Sequence, residues 1–140
     1  MKIHITMRMT IAELQQAFSE YFPNLSLSFF SKPHEIFQSS PVKYLFTEYN
    51  LPLERIEGHP HDGDIEIFPD MTVADLEHLF EREFGLHIQV LRKEGRFWVE
   101  TAFTDNLSLC AQNEMATVSK GENSSPNVNY HDARTEWYLG

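Results

Sequence analysis

Apolar and polar residues follow one pattern that the chain carries twice. Lys2 to Met7 sets Ile3, Ile5 and Met7 against Lys2, His4 and Thr6, the period of two that marks a half-buried strand. From Met9 to Phe22 the period lengthens. Ile11, Leu14, Phe18 and Phe22 then fall on one side of a helix. Pro23-Asn24 stops that helix, and Leu25 to Phe30 alternates again as a second strand. The same order returns at Asp64 to Phe68 (strand), Met71 to Phe84 (helix with Val73, Leu76, Phe80 and Phe84) and Leu86 to Leu91 (strand). Ile3 and Ile5 match Ile65 and Ile67, and Met9-Thr10 matches Met71-Thr72. Ala12, Leu14, Phe18 and Phe22 match Ala74, Leu76, Phe80 and Phe84. After one inserted residue, Leu25, Leu27 and Phe29 match Leu86, Ile88 and Val90, and Phe46 to Leu53 is echoed by Phe103 to Leu109. Two copies about 60 residues apart are too few and too long for a solenoid, so the expectation is a duplicated unit inside one domain.

Local chemistry supports the helix starts. Thr10 and Thr72 are N-cap residues, each followed three positions on by an acid, Glu13 or Asp75, as in a capping box. Gly85 suits a left-handed C-terminal stop. The Phe stripe reads as a core face, not a cofactor box. Gln15, Gln16 and Ser19, and Glu77, Glu81 and Arg82, are placed on the outer faces of their helices. Further on, Arg92-Lys93-Glu94-Gly95 is expected as a hairpin loop and Arg96 to Phe103 as its second strand, with a short helix from Thr104-Asp105 through Met115. Residues 31 to 63 are broken by prolines. Val42 to Phe46 is a possible strand there, Leu51 to Ile56 a helical turn, and Phe37, Tyr44 and Tyr49 the packing residues.

The fold class that follows is α+β. Each repeat reads as βαββ, and the two together suggest a ferredoxin-like antiparallel sheet with both helices on one face and a short C-terminal helix added. Residues 1–116 form the domain, with repeat one at 1–56 and repeat two at 64–115. Residues 117–140 are polar and turn-rich and read as a flexible tail. The second sheet face would carry Trp98, Phe68, Leu91 and Phe30, too large and apolar to stand open together. That set is the candidate interface.

Composition narrows the partners. With 11 Lys and Arg against 21 Asp and Glu, the net charge is -10, which disfavours nucleic acid and anionic membrane surfaces. A homo-oligomer or a protein partner remains. Cys110 is the single cysteine, so no internal disulfide forms, and a buried structural thiol is expected. No apolar run is long enough to span a bilayer and no signal-peptide core precedes the first strand, which points to the cytoplasm.

Candidate chemistry is sparse. His59, His61, Asp62 and Asp64 are ligand-type side chains on one loop that can be set against zinc or a harder ion; solvated loop polarity is the plainer reading. His34 and Glu35 would be distant helpers. Arg92, Lys93 and Arg96 form the one basic spot, a possible anion site at a hairpin tip. No nucleophile elbow, phosphate loop, dinucleotide glycine pattern or CxxC pair is present, so no catalytic residue and no cofactor are expected.

The strings FFSKPHE (Phe29 to Glu35), GDIEIFPDMTVADLE (Gly63 to Glu77), FGLHIQVLRKEGRFWVETAFTDN (Phe84 to Asn106) and AQNE (Ala111 to Glu114) resemble a family of small uncharacterised bacterial proteins. That family's pattern runs through the FGL strand, an Arg-Lys-x-Gly hairpin and a Trp-x-Glu-Thr strand to Thr-Asp and Gln-Asn. The resemblance covers about residues 1 to 116. This chain departs from it at Asn106-Leu107-Ser108, where the family has a Trp and a Thr after the Asp. The resemblance implies the duplicated fold and a bacterial cytoplasm, and carries no activity. The functional expectation is a non-enzymatic interaction or self-association module, with a small-ligand or metal-binding protein, a hydrolase included, as the alternative.

Overall fold

The computed structural model describes residues 1–31, 45–56 and 62–116. The expected strand at Val42 to Phe46 lies outside them except for its last two residues, as do Phe37, Tyr44 and the tail. The elements are β1 (Lys2–Ile5), α1 (Ile11–Tyr21), β2 (Leu25–Phe30), a 3-10 turn (Leu53–Arg55), β3 (Gly63–Glu66), α2 (Val73–Phe84), β4 (His87–Glu94), β5 (Phe97–Glu100), a second 3-10 turn (Ala102–Thr104) and α3 (Leu109–Met115). The class is α+β, with three helices and two antiparallel sheets among the described residues.

Strand pairing crosses from the first half of the chain to the second. β1 pairs with β3, placing Ile3 opposite Ile65 and His4 opposite Asp64. β2 pairs with β4, placing Leu27 opposite Val90 and Ser28 opposite Gln89. β5 then adds to the free side of β4 through a tight turn at Gly95, whose φ of 60° suits glycine. The described strands therefore lie in two sheets, β1-β3 and β2-β4-β5, where one continuous sheet was expected. Each sheet pairs a strand of the first half antiparallel with its counterpart in the second, and no described pairing joins β1 or β3 to β2, β4 or β5.

Both sheets share one core. Ile3, Ile5, Ile65 and Ile67 meet Leu14, Phe18, Leu76 and Phe80, with Leu27, Phe29, Ile88 and Val90 below the helices. α1 packs on β2 and α2 on β4. Burying each such side chain contributes about 1.5–3 kcal/mol. The rings of Phe18 and Phe22 are 5.3 Å apart and tilted at 41°; those of Phe80 and Phe84 are 6.4 Å apart at 46°.

Helix starts match the sequence reading. Thr10 accepts from the Glu13 N–H and Thr72 from the Asp75 N–H, and each acid returns a bond to the cap backbone. Gly85 closes α2 in the left-handed region at φ 66°. The backbone around each helix is bonded alike. The Leu53 N–H donates to the Met9 carbonyl and Leu109 to Met71. Ile11 donates to Leu51, and Val73 to Leu107. Ala12 donates to Tyr49, and Ala74 to Asp105.

Four expectations change. The strand expected from Arg96 to Phe103 is only Phe97–Glu100, because the chain turns at Ala102–Thr104, where the Thr104 N–H donates to the Thr101 carbonyl. α3 begins at Leu109, capped by Ser108, and not at Thr104, because the Asp105 and Leu107 carbonyls are engaged by α2 and hold that segment out of helix. β4 runs on through Arg92 to Glu94, which shortens the hairpin loop to a two-residue turn. Cys110 is exposed, because Leu109 and Gln112 take the inward side of α3.

Candidate functional site

The structure divides the expected apolar set. Phe30 and Leu91 are 1% and 0% exposed and form a small cluster with Leu45 and Trp98 on the second face of the three-stranded sheet. Ser26, Ser28 and Gln89 are buried on the same face, so it is closed within the chain. Phe68 is elsewhere. Ile65 and Ile67 point inward at the end of β3, so alternation turns Glu66 and Phe68 outward, and Phe68 is 49% exposed. With two sheets in place of one, Phe68 and Trp98 do not share a surface.

Phe68 instead lines a surface groove of about 490 Å³ along the outer side of α2. Met71 and Leu79 complete its apolar wall. Asp70 and Asp75 stand at the end nearest the helix start, and His78 and Arg82 further along the helix. Asp75, His78, Leu79 and Arg82 fall within one narrow stripe, because residues three and four apart are neighbours on a helix. Asp75, His78 and Arg82 are exposed and face away from the core residues Val73, Leu76, Phe80 and Phe84, while Leu79 is half-buried with its inner side against the core. Comparing the repeats is the signal that reveals it. The matching residues of the first half are Thr6 for Phe68, Ala17 for Leu79, Gln16 for His78 and Glu20 for Arg82. At these positions the first half thus carries Thr and Ala where the second carries Phe and Leu.

The three basic residues do not gather. Arg92 and Lys93 are neighbours on β4 and point to opposite faces. The Arg92 guanidinium is spent inside the protein: Nε donates to Glu94 Oε1 at 2.7 Å and Nη1 to Gln112 Oε1 at 2.6 Å. Gln112 in turn donates to the Thr104 carbonyl at 2.7 Å. Lys93 sits opposite Trp98, and the Arg96 guanidinium lies 6.0 Å from the Phe97 ring centre. The residues that carried the resemblance thus build a clamp between β4 and α3. Asn113 extends it by accepting from the Asn24 N–H at 2.9 Å.

Of the loop ligands, His59 and His61, with His34 and Glu35, lie outside the described residues. Asp62 Oδ1 accepts from the Met7 N–H at 2.6 Å, and Asp64 Oδ1 lies 2.6 Å from His4 Nδ1 across the β1-β3 pair. Both carboxylates thus stitch the two halves together. Among the described residues no three His, Cys, Asp or Glu side chains form a group able to hold a metal. Cys110 donates to Glu114 Oε1 at 3.7 Å, and the nearby negative charge, first, raises the thiol pKa above its ordinary value.

Sequence reading missed Gln15 and Glu77. Both are buried, at 8% and 9% exposure. Gln15 Nε2 donates to the Leu27 carbonyl at 2.8 Å, and Glu77 Oε2 accepts from the Val90 N–H at 3.1 Å. Leu27 and Val90 face each other in the sheet, so matched positions of the two helices secure the outer sides of one rung.

No protein-family model matches the chain, and neither a curated protein nor a solved structure does. Among the described residues no helix is long and apolar enough to cross a membrane.

Proposed function

We propose that this chain is a tandem duplicate of one strand-helix-strand-strand unit, with repeats at 1–56 and 64–115, that serves as a non-enzymatic interaction module. The matched backbone bonds around Thr10 and Thr72 support the duplication. So do the registers, since Ile3 opposite Ile65 and Ser28 opposite Gln89 put matching strands about one approximate twofold axis. The ferredoxin-like element of this reading is the unit itself, a helix returning over its own strand.

One observation carries the interaction reading: Phe68, half exposed over a groove that the first repeat does not need. An apolar centre ringed by Asp70, Asp75, His78 and Arg82 has the anatomy of a protein contact, with a dry middle and a polar rim. The cytoplasm is the setting this reading assumes, in keeping with the single thiol.

The test is photo-crosslinking in the producing cell. The full chain is made with benzoylphenylalanine at Phe68, and separately at Thr6 as the matched control. A discrete adduct from position 68 and none from position 6 is the expected result. Equal labelling at both, or none at Phe68, would remove the reading.

A further inference from the structure

We infer that the occupant of the Phe68 groove is a second copy of this chain, docked with the two α2 helices antiparallel about a twofold axis near His78 and Leu79. The inference rests on the interaction reading above and goes on to name the partner. Its ground is charge order. Along the exposed stripe of α2, Asp75 lies on the N-terminal side of Leu79 and Arg82 on the C-terminal side. At 1.5 Å per residue they are about 10 Å apart along the axis. Turning a second copy end over end sets its Arg82 against Asp75 of the first, and its Asp75 against Arg82. A twofold contact uses one patch twice, so the patch must complement itself, and this one does. Leu79 and Phe68 then fill the apolar middle, where aromatic anchors contribute most.

The first repeat is the internal control. Its matching stripe is Glu13, Gln16, Ala17 and Glu20. Folded on itself the same way, that stripe sets Glu13 against Glu20, acid against acid, with no apolar centre. Two helices of shared pattern thus differ in the one respect that decides self-pairing. The contact of Arg82 Nε with Glu83 Oε1 at 3.4 Å is solvent-exposed and holds Arg82 weakly.

The experiment is native mass spectrometry with sedimentation equilibrium on the full chain, wild type and variants. Wild type is expected as a dimer. Arg82→Glu alone and Asp75→Lys alone are each expected to weaken the dimer by about tenfold or more, and mixing the two variants restores a heterodimer with one pair native and the other reversed. Asp75→Lys also removes a helix cap. Phe68→Thr and Leu79→Ala, which install the first repeat's residues, are therefore the second route to monomer, with circular dichroism confirming the fold. A monomeric wild type, or charge variants that dimerise unchanged, would overturn the inference. The crosslink at Phe68 separates the two levels. An adduct of the mass of another protein removes self-pairing and keeps the interaction reading, while no adduct removes both.

Discussion

Glu77 acts where a neighbouring strand would otherwise serve: its carboxylate takes the Val90 N–H that β5 does not reach. Replacing it with Ala leaves a buried donor without that acceptor, which costs about 1–3 kcal/mol. Urea unfolding of Glu77→Ala should show that loss, with Glu77→Gln losing less because an amide oxygen still accepts. Gln15→Ala should behave like Glu77→Ala, since its amide serves the same rung from the other helix. Neither role was legible in the sequence. A polar residue beside an apolar stripe looks solvated unless one knows that a strand edge lies under it. Cys110 was misread for a related reason, because a helix that starts four residues later turns a different side inward. The charge of Glu114 keeps its thiol protonated to higher pH than usual. Thiolate is the reacting form, so Glu114→Gln should speed iodoacetamide labelling several-fold at mildly alkaline pH. The two proteins should converge once pH is high enough to ionise both thiols.

At the scale of elements, the two helices were readable in full, because cap, stripe and stop each have a residue signature. Thr10 with Glu13 and Thr72 with Asp75 form the predicted boxes. The stops differ. α1 ends at Phe22 with φ -131°, whereas α2 ends on Gly85 at φ 66°. A Cβ at that second position clashes with the adjacent carbonyl, so Gly85→Ala should lower stability by roughly 1–2 kcal/mol in thermal melts. Strand ends were less readable. β4 extends three residues beyond Leu91 because Leu25 and β5 offer partners to Arg92 on both sides. That support is tertiary and leaves no mark in hydropathy. Arg92 illustrates the same limit for the candidate sites. Its charge suggested an anion at the hairpin tip, but a longer strand turns it inward to Glu94 and Gln112.

For the whole molecule, the pattern shared by the two halves was legible and the pairing was not. Matching Ile3 with Ile65 says that two strands are equivalent; it does not say that they lie opposite each other. Because β1-β3 and β2-β4 both join the first half to the second, neither half can open without unpairing the other. Amides of Ile5 and Val90 should therefore exchange through one opening of the same free energy. Independent protection in the two halves would contradict that coupling. The groove at Phe68 also emerges only at this scale, from reading one half against the other.

Cross-half pairing has a consequence for synthesis. When the ribosome has delivered residues 1 to 56, β1 and β2 have emerged, yet their partners β3 and β4 have not been translated. The nascent chain carries Ile3, Ile5, Leu25, Leu27 and Phe29 on strands with open edges until β4 clears the exit tunnel. Such exposure is where aggregation starts, and distant pairing makes closure slow. A stall or truncation in the middle of the message would thus release a product prone to stick to its own kind.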